Sequence, residues 1–265
     1  MSILEEIFAH KKQEVAEVRL HLRLEQLAEK ASQMPPPIDF KAALLDTSRP
    51  TPRLIAEIKR KSPSKGVLRK DLDPLTLASI YADNGSAAIS VLTDEKYFGG
   101  SLDDLKDVHA LELGLPLLRK DFIFDSYQLL EARAAGASAV LLIVAMLDDT
   151  LLTNLISECH KLSLTPLVEV HDLSELDRAL AANTQVIGIN NRNLHNFTVS
   201  LENSLQLSKH CPPEIVLVAE SGIHTLEDIE KLTESNIDAI LVGEALVTTP
   251  DVAKKVRNLA RVRVQ

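Results

Sequence analysis

Tryptophan is absent from the chain, and Phe, Trp and Tyr together make up only 3% of it. A core with so few rings must be filled by Leu, Ile, Val and Ala, which a hydrophobic content of 45% supplies. Cysteine is almost absent as well. Cys159 and Cys211 are far from CxxC spacing, which argues against a disulfide framework or a zinc cluster and leads us to expect a reducing, cytoplasmic setting. Glycine is scarce, at 9 of 265 residues, which excludes a fibrous repeat or a flexible low-complexity chain. No apolar run approaches the roughly 18 residues of a membrane span. Residues 1–30 mix Glu, Lys and Arg with apolar positions in a layout unlike a signal or transit peptide. An excess of positive charge is also missing: the formal net charge of -9 disfavours nucleic acid and anionic membranes as partners.

What is present is a repeat. Ile3, Leu4, Ile7 and Phe8, then Val15, Val18 and Leu22, recur at helical spacing and predict one or two amphipathic helices over 3–31, ended by Met34-Pro-Pro-Pro37. Beyond this segment, short β-branched or Leu-rich runs alternate with helical patterns. The runs are Leu54–Lys59, Ala87–Thr93, Pro116–Asp121, Ala139–Val144, Pro166–Val170, Val186–Asn191, Ile215–Ser221 and Ala239–Glu244. Helical stretches such as Pro74–Asp83, Asp148–Lys161, Leu201–His210 and Asp251–Leu259 separate or follow them. Strands alternating with helices indicate βαβ units and a parallel sheet. Eight such units, with no GxGxxG after the first strand, predict a closed (β/α)8 TIM barrel of α/β class. We expect one domain over 1–265, with residues 1–48 as an N-terminal helical extension. A closed barrel with its own cover needs no partner, so a monomer is expected.

Barrel enzymes do their chemistry at the C-terminal ends of the strands. Polar residues cluster at those ends here. Glu57 and Lys59 stand two apart on the first run and therefore share a face. Lys120 and Glu169 end or nearly end the third and fifth. Set among other cations, Lys59 and Lys120 are expected to have lowered pKa values, which suits a lysine general acid, with Glu169 as the opposing acid or base. Ser62 and Gly66 after the first strand, Gly222 after the seventh and Gly243 after the eighth offer backbone N–H groups to an anion, where barrels commonly hold phosphate. Six basic residues and no acid lie from Lys59 to Lys70. Without aromatic interleaving, this reads as a loop that attracts a small anionic substrate rather than nucleic acid. Glu169 and His171 have spacing that could ligate a metal, but no third ligand is evident, and no metal or cofactor is expected. The residues alone thus point to a phosphate-binding barrel enzyme that works with Lys and Glu.

Six motifs carry the reading further: Ile55-Ala-Glu-Ile-Lys-Arg-Lys-Ser-Pro-Ser-Lys-Gly66, Leu92-Thr-Asp-Glu-Lys-Tyr-Phe-Gly-Gly-Ser101, Leu118-Arg-Lys-Asp-Phe-Ile123, Leu167-Val-Glu-Val-His171, Ile189-Asn-Asn-Arg-Asn-Leu194 and Ala219-Glu-Ser-Gly-Ile223. Together they closely resemble the indole-3-glycerol-phosphate synthase family of tryptophan biosynthesis, and the helix around Ile3, Leu4, Lys11 and Glu14 resembles that family's segment before the barrel. The resemblance implies closure of 1-(2-carboxyphenylamino)-1-deoxyribulose 5-phosphate to indole-3-glycerol phosphate, with loss of carbon dioxide and water. It implies Lys120 as the general acid on the substrate carbonyl, Glu169 as acid/base partner in the dehydration, and Lys59 as holder of the substrate carboxylate and further proton donor. Glu57, Asn190, Glu220 and Ser221 match positions that orient the substrate and balance charge. Arg192 matches a residue of the mouth, Phe122 a substrate-binding position, and Ser62, Gly222 and Gly243 the phosphate site. Asn193 stands where the family often has Asp, and Leu246-Val247 replaces a common Leu-Met.

Two other readings compete. Phosphoribosylanthranilate isomerase, a sister barrel, would want an Asp/Cys pair at strand ends, and neither cysteine lies at one. A non-catalytic barrel that binds phosphorylated metabolites would have no use for both Lys120 and Glu169.

Overall fold

The computed structural model describes residues 3–193 and 197–262, so Leu194 of the fifth motif and the first two residues of the extension lie outside the described residues. Helices α1 (Ile3–His21), α2 (Leu24–Gln33) and α3 (Phe40–Leu44) come first. Eight strands follow: β1 (Arg53–Ile58), β2 (Ala88–Leu92), β3 (Leu117–Lys120), β4 (Ala139–Ile143), β5 (Thr165–Val170), β6 (Val186–Asn190), β7 (Val216–Glu220) and β8 (Ala239–Val242). Each pairs in parallel with its neighbours in sequence, and β1 pairs with both β2 and β8, which closes the barrel. The connecting helices are α4 (Pro74–Asp83), α5 (Leu102–Ala110), α6 (Ser126–Ala134), α7 (Asp149–Lys161), α8 (Leu173–Ala181), α9 (Glu202–Leu207) and α10 (Leu226–Thr233), with α11 (Glu244–Val247) and α12 (Val252–Leu259) after the last strand. Among the described residues no helix is long and apolar enough to cross a membrane.

The helices start where the sequence supplies a side-chain oxygen. Asp148 accepts from Leu151 N at 2.8 Å, Asp172 from Glu175 N at 2.9 Å and Thr225 from Asp228 N at 3.2 Å. Each such cap contributes about 1 kcal/mol, and together they fix the strand-to-helix turns around the barrel mouth.

Side-chain alternation along the strands then divides the core into two. Leu54, Ala56 and Ile58 of β1 join the cluster packed beneath the surrounding helices, whereas Ile55 joins Leu118, Leu167, Val186, Val218 and Leu241 inside the barrel. Helix α3 adds Phe40 and Leu44, both fully buried, to the inner cluster. Lys41 donates to Gln185 Oε1 just ahead of β6, which places α3 over the N-terminal end of the barrel.

The eight predicted runs all form strands, and the stretch 3–31, predicted as one or two helices, forms two. The expected helix Leu201–His210 shortens to α9 followed by a 3-10 turn at Ser208–His210. Glu244, expected to end the eighth strand, instead opens α11, and the basic loop after β1 carries a small antiparallel hairpin, Lys61–Ser62 with Gly66–Val67.

Candidate active site

The inward row of each strand runs on past the apolar core into the mouth. Ile55 leads to Glu57 and Lys59, Leu118 to Lys120 and Phe122, Leu167 to Glu169, Val186 to Asn190 and Arg192, and Val218 to Glu220. The parallel register sets these rows side by side, with Asn190 paired to Glu220 and Leu92 to Lys120. Two adjoining cavities result. Glu57, Lys59, Lys120, Arg192 and Ser221 line both; Ser62, Phe122, Glu169 and Asn190 line the first, and Glu220, Gly222 and Gly243 the second. All twelve candidate residues therefore meet at one mouth.

Its centre is ionic. Lys120 Nζ lies 2.6 Å from Glu220 Oε2 and 3.5 Å from Glu169 Oε2, and Lys59 Nζ lies 2.5 Å from Glu57 Oε1. Asn190 Nδ2 donates to Glu169 Oε1 at 3.2 Å, and Arg192 N donates to Asn190 Oδ1 at 3.0 Å. The expectation of a lowered Lys120 pKa is overturned. Burial alone would lower it, but Glu220, Glu169 and Glu57 outweigh burial and hold the ammonium well above its ordinary range. Arg119, one residue earlier, faces away from the barrel interior and binds Asp121 at 3.0 Å and Glu131 at 3.1 Å, so it brings no positive charge against Lys120. Burial pushes the Glu220 carboxyl up to about 7, against the pull of Lys120. Burial also opposes ionisation of Glu169, yet Lys120 and His171 bring it down to about 2.

Two glycines exist to make room for these carboxylates. A Cβ on Gly188 would sit 2.2 Å from Glu220 Oε1, and one on Gly243 would sit 2.2 Å from Glu57 Oε1. Gly188→Ala is therefore expected to drive Glu220 off Lys120 and lower stability by about 1–3 kcal/mol, the usual effect of overpacking a filled interior. A urea denaturation midpoint equal to that of the parent chain would show that Glu220 can yield without loss.

The two cavities differ in character. The first is closed by apolar side chains, Leu141 and Ile143 of β4 with Phe98, Phe122 and, from α1, Ile3 and Ile7, and it suits a flat ring. The second is floored by Ser221, Gly222 and Gly243 ahead of the short α11. Ser221 and Gly222 have successive φ values of +65° and +80°, a left-handed turn on which glycine lets the backbone approach a ligand closely. Lys65 closes the hairpin over this end through Glu244 at 2.5 Å. Arg60 is paired with Asp104, and Lys61 donates to Lys96 O, so the basic loop is partly tied down rather than free in solvent.

The N-terminal helix was missing from the sequence-derived site. Lys11, fully buried, lies 3.0 Å from Asp121, 3.1 Å from Asp94 and 2.8 Å from Glu14, which anchors α1 to the loops after β2 and β3. The signal was present in the helical row Ile7, Lys11, Val15, where a lysine interrupts the buried face.

The indole-3-glycerol phosphate synthase family model matches residues 4–259. An indole-3-glycerol phosphate synthase from Roseiflexus sp. (strain RS-1) is 51% identical over 265 residues, covering 97% of this chain and 98% of the relative. One from Dehalococcoides mccartyi (strain CBDB1) is 48% identical over 260 residues, covering 97% and 99%. Among solved structures, 3-hexulose-6-phosphate synthase from Salmonella typhimurium superposes with a TM-score of 0.64 at 12% identity over 79% of this chain and 97% of that one. Thiamine phosphate pyrophosphorylase from Pyrococcus furiosus does so with 0.60 at 16% identity over 79% and 94%, and both likenesses speak to the barrel alone. The family match covers all eight strands and most of the helical segment before them, and the chain belongs to the indole-3-glycerol-phosphate synthase family.

Proposed function

We propose that this chain closes 1-(2-carboxyphenylamino)-1-deoxyribulose 5-phosphate to indole-3-glycerol phosphate, releasing carbon dioxide and water, with Lys120 as general acid. The observation that carries the assignment of roles is the position of the Lys120 ammonium, between Glu169 and Glu220 on the wall shared by the ring-sized and the anion-sized cavity. The aromatic ring enters the apolar cavity against Phe122, and the phosphate meets Ser62, Gly222 and Gly243. Lys59, released from Glu57, takes the substrate carboxylate and is a further proton donor, while Arg192 borders the mouth.

In the first step the ring carbon bearing the carboxylate attacks the carbonyl, whose oxygen takes a proton from Lys120. Carbon dioxide then leaves with its bonding electrons returned to the ring. Dehydration follows: a C–H bond breaks, its electrons form the C=C bond, and the hydroxyl departs as water. Glu169 serves this step as acid/base, with Glu57, Asn190, Glu220 and Ser221 holding the substrate and balancing charge. Every proton moved has a titratable group within the mouth. We read the chain as one domain in which residues 1–48 complete the active site, acting as a cytoplasmic monomer.

Glu169→Gln tests the assignment of the last step. It is expected to lower kcat by about 10²–10³-fold, as loss of a positioned acid/base group does, with KM nearly unchanged. Carbon dioxide release should then outrun indole formation in single-turnover experiments. Unimpaired indole formation by this variant would remove Glu169 from the dehydration.

A further inference from the structure

His171 lies behind the reacting wall. It lines a neighbouring solvent-open cavity rather than either of the two that hold the candidate residues. Its Nε2 is 3.3 Å from Glu169 Oε1, and its Nδ1 is 3.0 Å from Glu175 Oε2 in the first turn of α8. Glu175 Oε2 also accepts the backbone N–H of His171 at 2.8 Å, and Asn203 donates to the carbonyls of His171 and Asn190 at 3.1 and 2.9 Å. The ring is therefore anchored through Nδ1, with Nε2 turned toward Glu169.

Nδ1 is hydrogen-bonded to Glu175, and Nε2 stands within ion-pair distance of Glu169 without an aligned hydrogen bond, so two carboxylates flank the ring and favour the imidazolium. Glu169 then has its two oxygens in different surroundings. Oε1 accepts from Asn190 at 3.2 Å and faces the His171 ring at 3.3 Å, and Oε2 faces Lys120 at 3.5 Å. We propose that His171, clamped by Glu175, is a positioning residue of the reaction, pinning Glu169 through Oε1 and presenting Oε2 as an ionised base to the substrate. The inference rests on Glu169 being the acid/base group.

The surrounding charges agree. Burial would favour the neutral ring, but Glu169 and Glu175 outweigh it and push His171 up to about 10. Glu169 also faces Lys120, which in turn binds Glu220. In the outer cavity the other charged groups are Glu5, Asp172, Arg178 and Arg192, with Arg178 engaged by Asp149 at 2.6 Å. The Glu169 pKa is depressed in the folded protein, so its action as a base is lost as pH falls through that depressed value. Removing the imidazolium raises the Glu169 pKa and moves that loss to higher pH.

The test is the pH dependence of kcat for the parent chain, His171→Gln and Glu175→Gln. Glutamine at 171 keeps a donor for Glu169 but no charge. The expected result is a roughly tenfold lower kcat, KM within about twofold, and an acidic limb moved upward by about one pH unit, with a smaller upward move for Glu175→Gln. Limbs that coincide with that of the parent chain in both variants would overturn the proposal, since a merely structural role lowers kcat without moving the profile. The unaltered protein gives a second reading that no folding defect can spoil. Its His171 ring resonances should report the protonated form through neutral pH, whereas titration near the ordinary value of about 6.5 would overturn the proposal. Glu169→Gln separates the two levels. Turnover retained in that variant sinks the acid/base reading itself, while its loss together with unmoved His171 limbs sinks only the role given to His171.

Discussion

Lys120→Met is expected to abolish useful turnover, with kcat lower by about 10³-fold or more, in the range of a lost general acid combined with lost charge stabilisation. Methionine fills the same channel beside Phe122 but can neither give a proton to the substrate carbonyl nor answer Glu169 and Glu220. With the ammonium gone, those two carboxylates repel each other, and both pKa values rise until a proton is shared between them. The anion end, built on Ser221, Gly222 and Gly243, is untouched, so indole-3-glycerol phosphate should bind within a few-fold of its affinity for the parent chain. Steady-state kinetics alongside product binding check this. Near-normal kcat in Lys120→Met would mean that another group protonates the carbonyl.

Lys11→Met is expected to have the largest effect on stability. The ammonium has 1% of its side chain exposed and stands against Asp94, Asp121 and Glu14, with Asp121 also held by Arg119 and by Thr93 Oγ1 at 2.6 Å. Deleting one partner of such a cluster leaves buried carboxylates uncompensated, at about 3–5 kcal/mol, a large part of the 5–15 kcal/mol that holds a typical domain together. The pH dependence has a definite sign. Arg119 and Lys11 overcome burial and keep Asp121 down at about 2, so its contribution is present above the unfolded carboxylate pKa and is lost as pH falls toward 2. The difference between the two chains should therefore be widest near neutral pH and narrow below about pH 4, where unfolded carboxylates take up protons. Urea denaturation at both pH values measures it. A loss under 1 kcal/mol at neutral pH would show that α1 is held by its apolar contacts and not by this cation.

The same residue links stability to function. Asp94 Oδ1 accepts from the backbone of Tyr97 at 2.7 Å and of Phe98 at 3.2 Å, and Asp121 immediately follows Lys120. Freeing α1 removes Ile3 and Ile7 from the apolar cavity and loosens Phe98 opposite.

The barrel and most of its mouth were legible in the sequence because both follow from local rules. A two-residue period assigns Ile55, Glu57 and Lys59, or Leu118 and Lys120, to one face without any knowledge of tertiary contacts. A parallel barrel then brings all such rows to one end. The hidden features depend on partners distant in sequence. The Lys120 expectation of surrounding cations failed because alternation sends Arg119 to the opposite side while Glu220, a hundred residues away, arrives at 2.6 Å. His171 was noticed only as half of a metal pair. Its actual engagement with Glu175 requires the turn into α8, which spacing alone does not specify. Gly188 was read as part of an apolar run, and only its closeness to Glu220 gives its lack of a side chain a purpose.

The most direct measurement is a single-turnover fluorescence experiment in which the purified chain meets 1-(2-carboxyphenylamino)-1-deoxyribulose 5-phosphate. A protein without tryptophan leaves the indole window clear. A rise in indole emission, matched by one carbon dioxide released for each indole formed and absent in Lys120→Met, is the result predicted here. Binding of the substrate with no indole formed by the parent chain would contradict it and leave a barrel that holds the phosphorylated compound without transforming it.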